Sequence, residues 1–265
     1  MSGWRAWQTT PALAAEDDVD MTYCIGLLLR AGLVVIGDTR TNAGVDNIAT
    51  FRKLQVFETP GERVITIATA GNLAVTQAVV SQMIEGVPGP DGSVQTLHTV
   101  PSMFELAQFT GQVVRMVRER DEDALVRDGG VFDCSILLGG QIAGRRLRLF
   151  NVYRAGNFVE ATEDTPYVQI GEHKYGKPII DRSVTFETSL QEALKLALIS
   201  MDSTMRSNLA VGLPVDALVL PRDTLKPSVN LRIDQEDDYF AEVRARWSDA
   251  LREAHKSIPD PPYWG

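Results

Sequence analysis

Thr22 follows Met21 at the head of an apolar run, Thr22-Tyr23-Cys24-Ile25-Gly26-Leu27. When everything before it is absent or removed, Thr22 carries a free α-amine beside its own hydroxyl. Such an amine titrates near ~7.7–8.0, so one residue supplies both a nucleophile and a base. Amide cleavage also needs a cation near the nucleophile and donors for the tetrahedral oxyanion. Asp38, sixteen residues after Thr22, Lys53 in Arg52-Lys53-Leu54, and Gly71 ahead of Asn72 supply those types in that order. Singly they are ordinary. An Asp after a strand usually serves a turn, a Lys at a strand start is usually solvated, and a Gly before a helix is usually a turn residue. The order and spacing carry the argument for acyl transfer.

Elements must bring these residues together. Residues 22–30 and 33–39 read as strands joined by Ala31-Gly32, a hairpin that returns Asp38 to Thr22. Residues 53–58 and 63–69 form a second pair around Thr59-Pro60-Gly61. Were that strand to pair alongside the first hairpin, Lys53 would reach Thr22 while Asp38 held its ammonium. A buried lysine there favours the alkoxide and lowers the amine pKa. Asn72 caps a helix over 73–84, whose N-terminus offers N–H groups and a favourable dipole to an oxyanion near Gly71.

Beyond the site, 102–120 has the helical stripe Phe104, Leu106, Phe109, Val113 and Val117, and 132–139 with 145–153 reads as another hairpin. Residues 168–171 are short and strand-like. Ser189-Leu190-Gln191-Glu192 is a capping-box signature opening a helix to about 205, and 216–220 and 229–233 close as strands. The fold class is α+β, with two antiparallel sheets packed together under outer helices. Residues 1–21 read as an N-terminal extension without periodicity, a misplaced start or a propeptide. Residues 22–233 make the main domain, and 234–265 a C-terminal helix and tail. On that helix Phe240, Val243, Trp247, Leu251, Ala254 and Ile258 share one face. It docks on its own subunit or on a partner, and the pattern leaves both open.

The net charge of −9 argues against a nucleic-acid surface. Arg145, Arg146 and Arg148, the one dense basic cluster, read as a strand edge or hairpin flank. Two cysteines, Cys24 and Cys134, make no disulfide framework, and the scattered His98, His173 and His255 give no zinc spacing. No apolar run reaches the ~18–20 residues of a membrane span, and residues 1–20 lack the basic start and long apolar region of a secretory signal. A cytoplasmic protein is expected, with no membrane and no nucleic acid among its partners.

The combination resembles the proteasome-type N-terminal-nucleophile hydrolases, and within them Anbu, the bacterial proteasome-related peptidase family. The resemblance rests on Met21-Thr22-Tyr23-Cys24-Ile25-Gly26-Leu27, on Gly37-Asp38-Thr39-Arg40-Thr41-Asn42-Ala43-Gly44-Val45-Asp46-Asn47, and on Phe51-Arg52-Lys53; it extends from Thr22 to about Leu225. It implies a four-layer αββα sandwich and a threonine endopeptidase acting on peptides or unfolded proteins, with no cofactor or metal. By it Thr22 is nucleophile and base, Asp38 and Lys53 the supporting pair, and the Gly71 N–H the oxyanion donor. Proteasome subunits also carry a Gly-Ser-Gly element and a later Asp-x-x-Ser pattern. Gly171-Glu172-His173 occupies the first, with Glu172 where serine is usual. Asp202 matches the Asp, while Ser207 lies five residues on rather than three. Removal of an initiating Met21 would expose Thr22. The resemblance further implies a homo-oligomer, in rings or open helical stacks, without naming a subunit number or an ATPase partner. Two other functions fit the same residues: a silent assembly subunit, and an amidase acting on a small molecule.

Overall fold

The computed structural model describes residues 22–42, 48–89 and 92–263. The expected extension, 1–21, and the motif residues 43–47 lie outside the described residues. Strands β1 (Tyr23–Leu29), β2 (Gly32–Asp38), β3 (Arg40–Asn42), β4 (Ile48–Thr50), β5 (Leu54–Thr59) and β6 (Arg63–Gly71) precede helix α1 (Leu73–Glu85). Short strands β7 (Val87–Pro88) and β8 (Val94–Gln95) lead to helix α2 (Met103–Arg127). Then come β9 (Cys134–Ile142), β10 (Arg148–Val152), β11 (Phe158–Glu160) and β12 (Tyr167–Gly171). Helices α3 (Lys177–Ser183) and α4 (Leu190–Ser207), strands β13 (Val215–Pro221) and β14 (Val229–Ile233), and helix α5 (Asp238–Lys256) complete the order.

Side-chain alternation in β1 sets the layers. Tyr23, Ile25, Leu27 and Leu29 join Ile180, Ala197, Leu198 and Met201 under the helices, whereas Cys24 and Leu28 face Leu54, Val64, Leu137 and Leu149 of the other sheet. Successive residues of a strand point to opposite faces, so a strand sandwiched this way is apolar throughout. The first sheet runs β12-β1-β2-β13-β14 and the second β11-β10-β9-β6-β5, each pairing antiparallel. On the far face of the second sheet, Val79 and Met83 of α1 and Leu106, Phe109 and Val113 of α2 pack against Ile65, Ile67 and Leu138. The result is the αββα sandwich.

Local chemistry places the helix starts. Asn72 Oδ1 accepts from Val75 N–H at 3.2 Å, and Ser189 Oγ accepts from Glu192 N–H at 3.3 Å. Helix α2 outruns the expected 102–120 because its polar end carries i,i+4 support, Arg118 to Glu122 at 2.8 Å. Phe104 leaves the expected core stripe; it is exposed and meets Phe158 edge to face, beneath the Arg148 guanidinium. Arg146 and Arg148 flank the β9–β10 hairpin and pair with Glu160. Helix α5 divides. Phe240 and Val243 are buried on the domain, while Leu251, and Ile258 just past the helix end, stand exposed.

One expectation is corrected here. The strand after Lys53 does not pair alongside the first hairpin; β5 forms the edge of the opposite sheet, beside β6. Lys53 therefore approaches from across the sandwich. Strands β3, β4 and β11 were not expected; each is only three residues long.

Candidate active site

Thr22 stands immediately before β1 and is buried. The β1–β2 register, Cys24 opposite Gly37, brings Asp38 back to that end, where its Oδ1 accepts from Tyr23 N–H at 3.0 Å. Lys53 reaches the same carboxylate from the other sheet, with Nζ 3.1 Å from both oxygens. The ammonium also donates to the Arg40 carbonyl at 2.5 Å. With Asp38 0% and Lys53 6% exposed, this is a buried ion pair saturated by further donors and acceptors.

Gly71 ends β6 with φ +106, and a Cβ there would lie 2.6 Å from the Asp133 carbonyl oxygen. Only glycine fits that turn into α1. One cleft is lined by Thr22, Arg40, Thr41, Lys53, Thr69, Gly71, Leu73 and Thr76. The expected nucleophile, cation and oxyanion donor thus share a surface, beside the first turn of α1, whose dipole favours negative charge. Asp38 sits one hydrogen bond behind it.

Burial is the largest influence on the Asp38 carboxyl and pushes it up to about 6. Lys53, then the N–H groups of Tyr23 and Gly212, oppose that rise. Cys24, the next residue but one after Thr22, is no rival nucleophile: it is fully buried, and burial pushes its thiol far above neutrality.

Gly171-Glu172 grips Thr22 from β12. The Glu172 N–H donates to the Thr22 carbonyl at 2.6 Å. Gly171 has φ +76, and a Cβ on it would fall 1.8 Å from that same oxygen. The Glu172 carboxylate accepts from Asn208 Nδ2 at 3.3 Å and pairs with Lys174 at 3.4 Å. Asp202 and Ser207 line no part of the cleft. Asp202 is fully buried and binds Arg244 at 2.7 Å and Arg206 at 3.4 Å, tying α4 to α5. Ser207 ends α4, exposed. Sequence reasoning missed Thr69 and Thr76 as cleft residues; no spacing marks them, because β6 and α1 enter the site only through the sheet-on-sheet packing.

No family model and no curated protein matches the chain. Solved structures do. Anbu (ancestral beta-subunit) from Yersinia bercovieri is 48% identical over 91% of this chain and 100% of that one, with a TM-score of 0.83. The chain belongs to the Anbu family. Anbu from Hyphomicrobium sp. strain MC1 is 49% identical over 91% of this chain and 99% of its own, at a TM-score of 0.83. A helical assembly of the Anbu complex from Pseudomonas aeruginosa is 45% identical over 91% and 99%, at 0.84. In this Anbu-family chain, among the described residues, no cluster of His, Cys, Asp and Glu is placed to hold a metal ion, and no helix is long and apolar enough to cross a membrane.

Proposed function

We propose that this protein is an N-terminal threonine peptidase, active once residues 1–21 are removed. The observation that supports it is the shared cleft of Thr22, Lys53 and Gly71, with Asp38 buried behind the lysine. Thr22 Oγ attacks the scissile carbonyl while the freed α-amine takes its proton, directly or through a water. The carbonyl oxygen becomes an oxyanion held by the Gly71 N–H and the α1 N-terminus. The C–N bond then breaks, the leaving amine takes the proton from the α-ammonium, and a Thr22 ester remains. Water deprotonated by the same amine hydrolyses that ester and restores Thr22. Lys53, fixed by Asp38, lowers the cost of charge on Oγ. Asp202 and Ser207 stay outside this chemistry, and the Glu172 N–H positions Thr22 through its carbonyl.

The substrates are peptides or unfolded proteins in the cytoplasm, and the working form is a homo-oligomer. The relative from Pseudomonas aeruginosa, described as a helical assembly, supports that form. A peptide epoxyketone, which needs both the hydroxyl and the α-amine of one residue, tests the mechanism. It should label the protein expressed from Met21 with the mass of one inhibitor per chain, and label neither Thr22→Ala nor the chain that retains Met1. Equal labelling of Thr22→Ala refutes the proposal. A correctly processed protein that takes no label is a silent assembly subunit.

A further inference from the structure

Strands β5 and β14 are edges of the two sheets, and a cavity of about 260 Å³ lies between them. Leu54 and Val56 wall it on one side and Leu231 on the other, and three charged groups meet in it: Arg52, Asp216 and Arg232. None of these residues lines the Thr22 cleft. Asp216 and Arg232 stand opposite each other in the β13–β14 register, and the guanidinium donates to both carboxylate oxygens, at 2.8 and 2.9 Å. The Asp216 side chain, 9% exposed, is neutralised by that pairing alone. Arg52 is a second cation on the same acid. Its Nε stands 3.6 Å from Asp216 Oδ2, too far for a hydrogen bond, and among the described residues its guanidinium has no hydrogen-bond partner. Two arginines against one aspartate leave the cavity a positive charge more than its own acid needs.

We propose that this cavity is a binding site for a monocarboxylate on an apolar stem. The carboxylate bridges the Arg52 guanidinium and Nη1 of Arg232, which the bonds to Asp216 leave unused. One surplus charge matches a monoanion, whereas a phosphate or a dicarboxylate brings a second negative charge beside Asp216. Leu54, Val56 and Leu231 take the stem, and the volume, below that of a drug-sized pocket, suits one branched residue or a short acid. The C-terminal carboxylate of a peptide ending in an apolar residue and a free branched acid both carry this chemistry. The cavity backs onto the charged pair of the site: Arg52 precedes Lys53, and Asp216 lies opposite Gly37, beside Asp38. Binding there needs neither the Thr22 hydroxyl nor a free amine, so it stands apart from the peptidase reading.

Saturation-transfer NMR on the assembled protein reads the binding of N-acetyl-leucine, with N-acetyl-leucinamide as its neutral twin. The acid should bind with a dissociation constant on the order of 1 mM, and the amide roughly tenfold more weakly. Arg52→Gln, at a side chain 62% exposed, should weaken the acid roughly tenfold. Asp216→Asn removes the competing carboxylate and should tighten it about threefold. The chain that retains Met1 and the chain expressed from Met21 should bind alike. Equal binding of acid and amide overturns the proposal, as does binding that survives Arg52→Gln. Binding seen only when Thr22 is exposed also overturns it, since the acid then sits in the cleft. A longer peptide ending in leucine and 4-methylpentanoate separate the two sources. Retained affinity of the peptide makes chain ends the ligand, and its exclusion leaves the free acid; loss of both overturns the site.

Discussion

Replacing Lys53 with Met keeps much of the side-chain volume and removes the charge from a pair in which the lysine side chain is 7% and the aspartate 0% exposed. Breaking a buried pair from one side typically costs roughly 3–5 kcal/mol, because the remaining ion is stranded. Asp38 limits that cost by taking a proton. Its carboxyl already stands at about 6 through burial, and Lys53 is the strongest influence holding it down, so the variant's carboxyl moves higher. A carboxyl raised in the folded state binds its proton more tightly there than in the unfolded chain. Its ionisation therefore removes stability as pH climbs from about 4, the unfolded value, to the folded value. In the natural protein that loss ends near pH 6; in Lys53→Met it continues above it. The two proteins should differ least at pH 5, and the gap should widen above pH 6 by up to about 1.4 kcal/mol per unit. By pH 8 it should reach about 2–3 kcal/mol. Urea unfolding at fixed protomer concentration reads it out, since assembly shifts apparent stability. Asp38→Asn combined with Lys53→Met should abolish the part of the pH dependence that comes from Asp38, so its stability should not fall further below that of Asp38→Asn between pH 5 and pH 8. A gap equal at pH 5 and pH 8 would refute the reasoning.

Three further outcomes follow from the same geometry. The epoxyketone labelling rate should fall with first-order dependence on pH as the Thr22 amine protonates, then steepen toward second order below about pH 6 as Asp38 gains its proton and releases Lys53; Asp38→Asn, slower throughout, should keep the single slope. Gly171→Ala drives a Cβ to 1.8 Å from the Thr22 carbonyl at φ +76, so Thr22 must shift. Labelling should drop about a hundredfold, the scale of a 1 Å misplacement, and an unchanged rate counts against the grip of β12 on the nucleophile. Arg244→Ala removes the 2.7 Å bond to Asp202, at a cost of about 1–3 kcal/mol. Limited proteolysis should then cut within α5 sooner than in the natural protein, at unchanged cleavage elsewhere.

Thr22 and Asp38 were legible as neighbours because a two-residue turn fixes a hairpin register, and Gly71-Asn72 because a cap side chain marks its own helix. The sheet that carries Lys53 was not legible. Leu54 and Val64 face β1 and β2, but β5 is a part-buried edge strand, Leu54-Gln55-Val56-Phe57-Glu58-Thr59, whose alternation tells which residues turn inward without saying which sheet it joins. Thr41 escaped notice as a lining residue because β3 is three residues of polar text, Arg40-Thr41-Asn42, with no period to read. Asp202 matched a family pattern, but its carboxylate answers to Arg244, forty-two residues downstream on α5, a pairing no local pattern encodes.

The two halves of the site come from different layers: Thr22 and Asp38 from one sheet, Lys53 and Gly71 from the other. On the proposed mechanism, a nascent chain that has built only one of them cannot cut, however complete that half is. Docking of the layers is therefore also a safety catch. Under the proposed peptidase function the protein can cut its neighbours only once the two sheets have docked and residues 1–21 are gone, and parting the sandwich takes that power away.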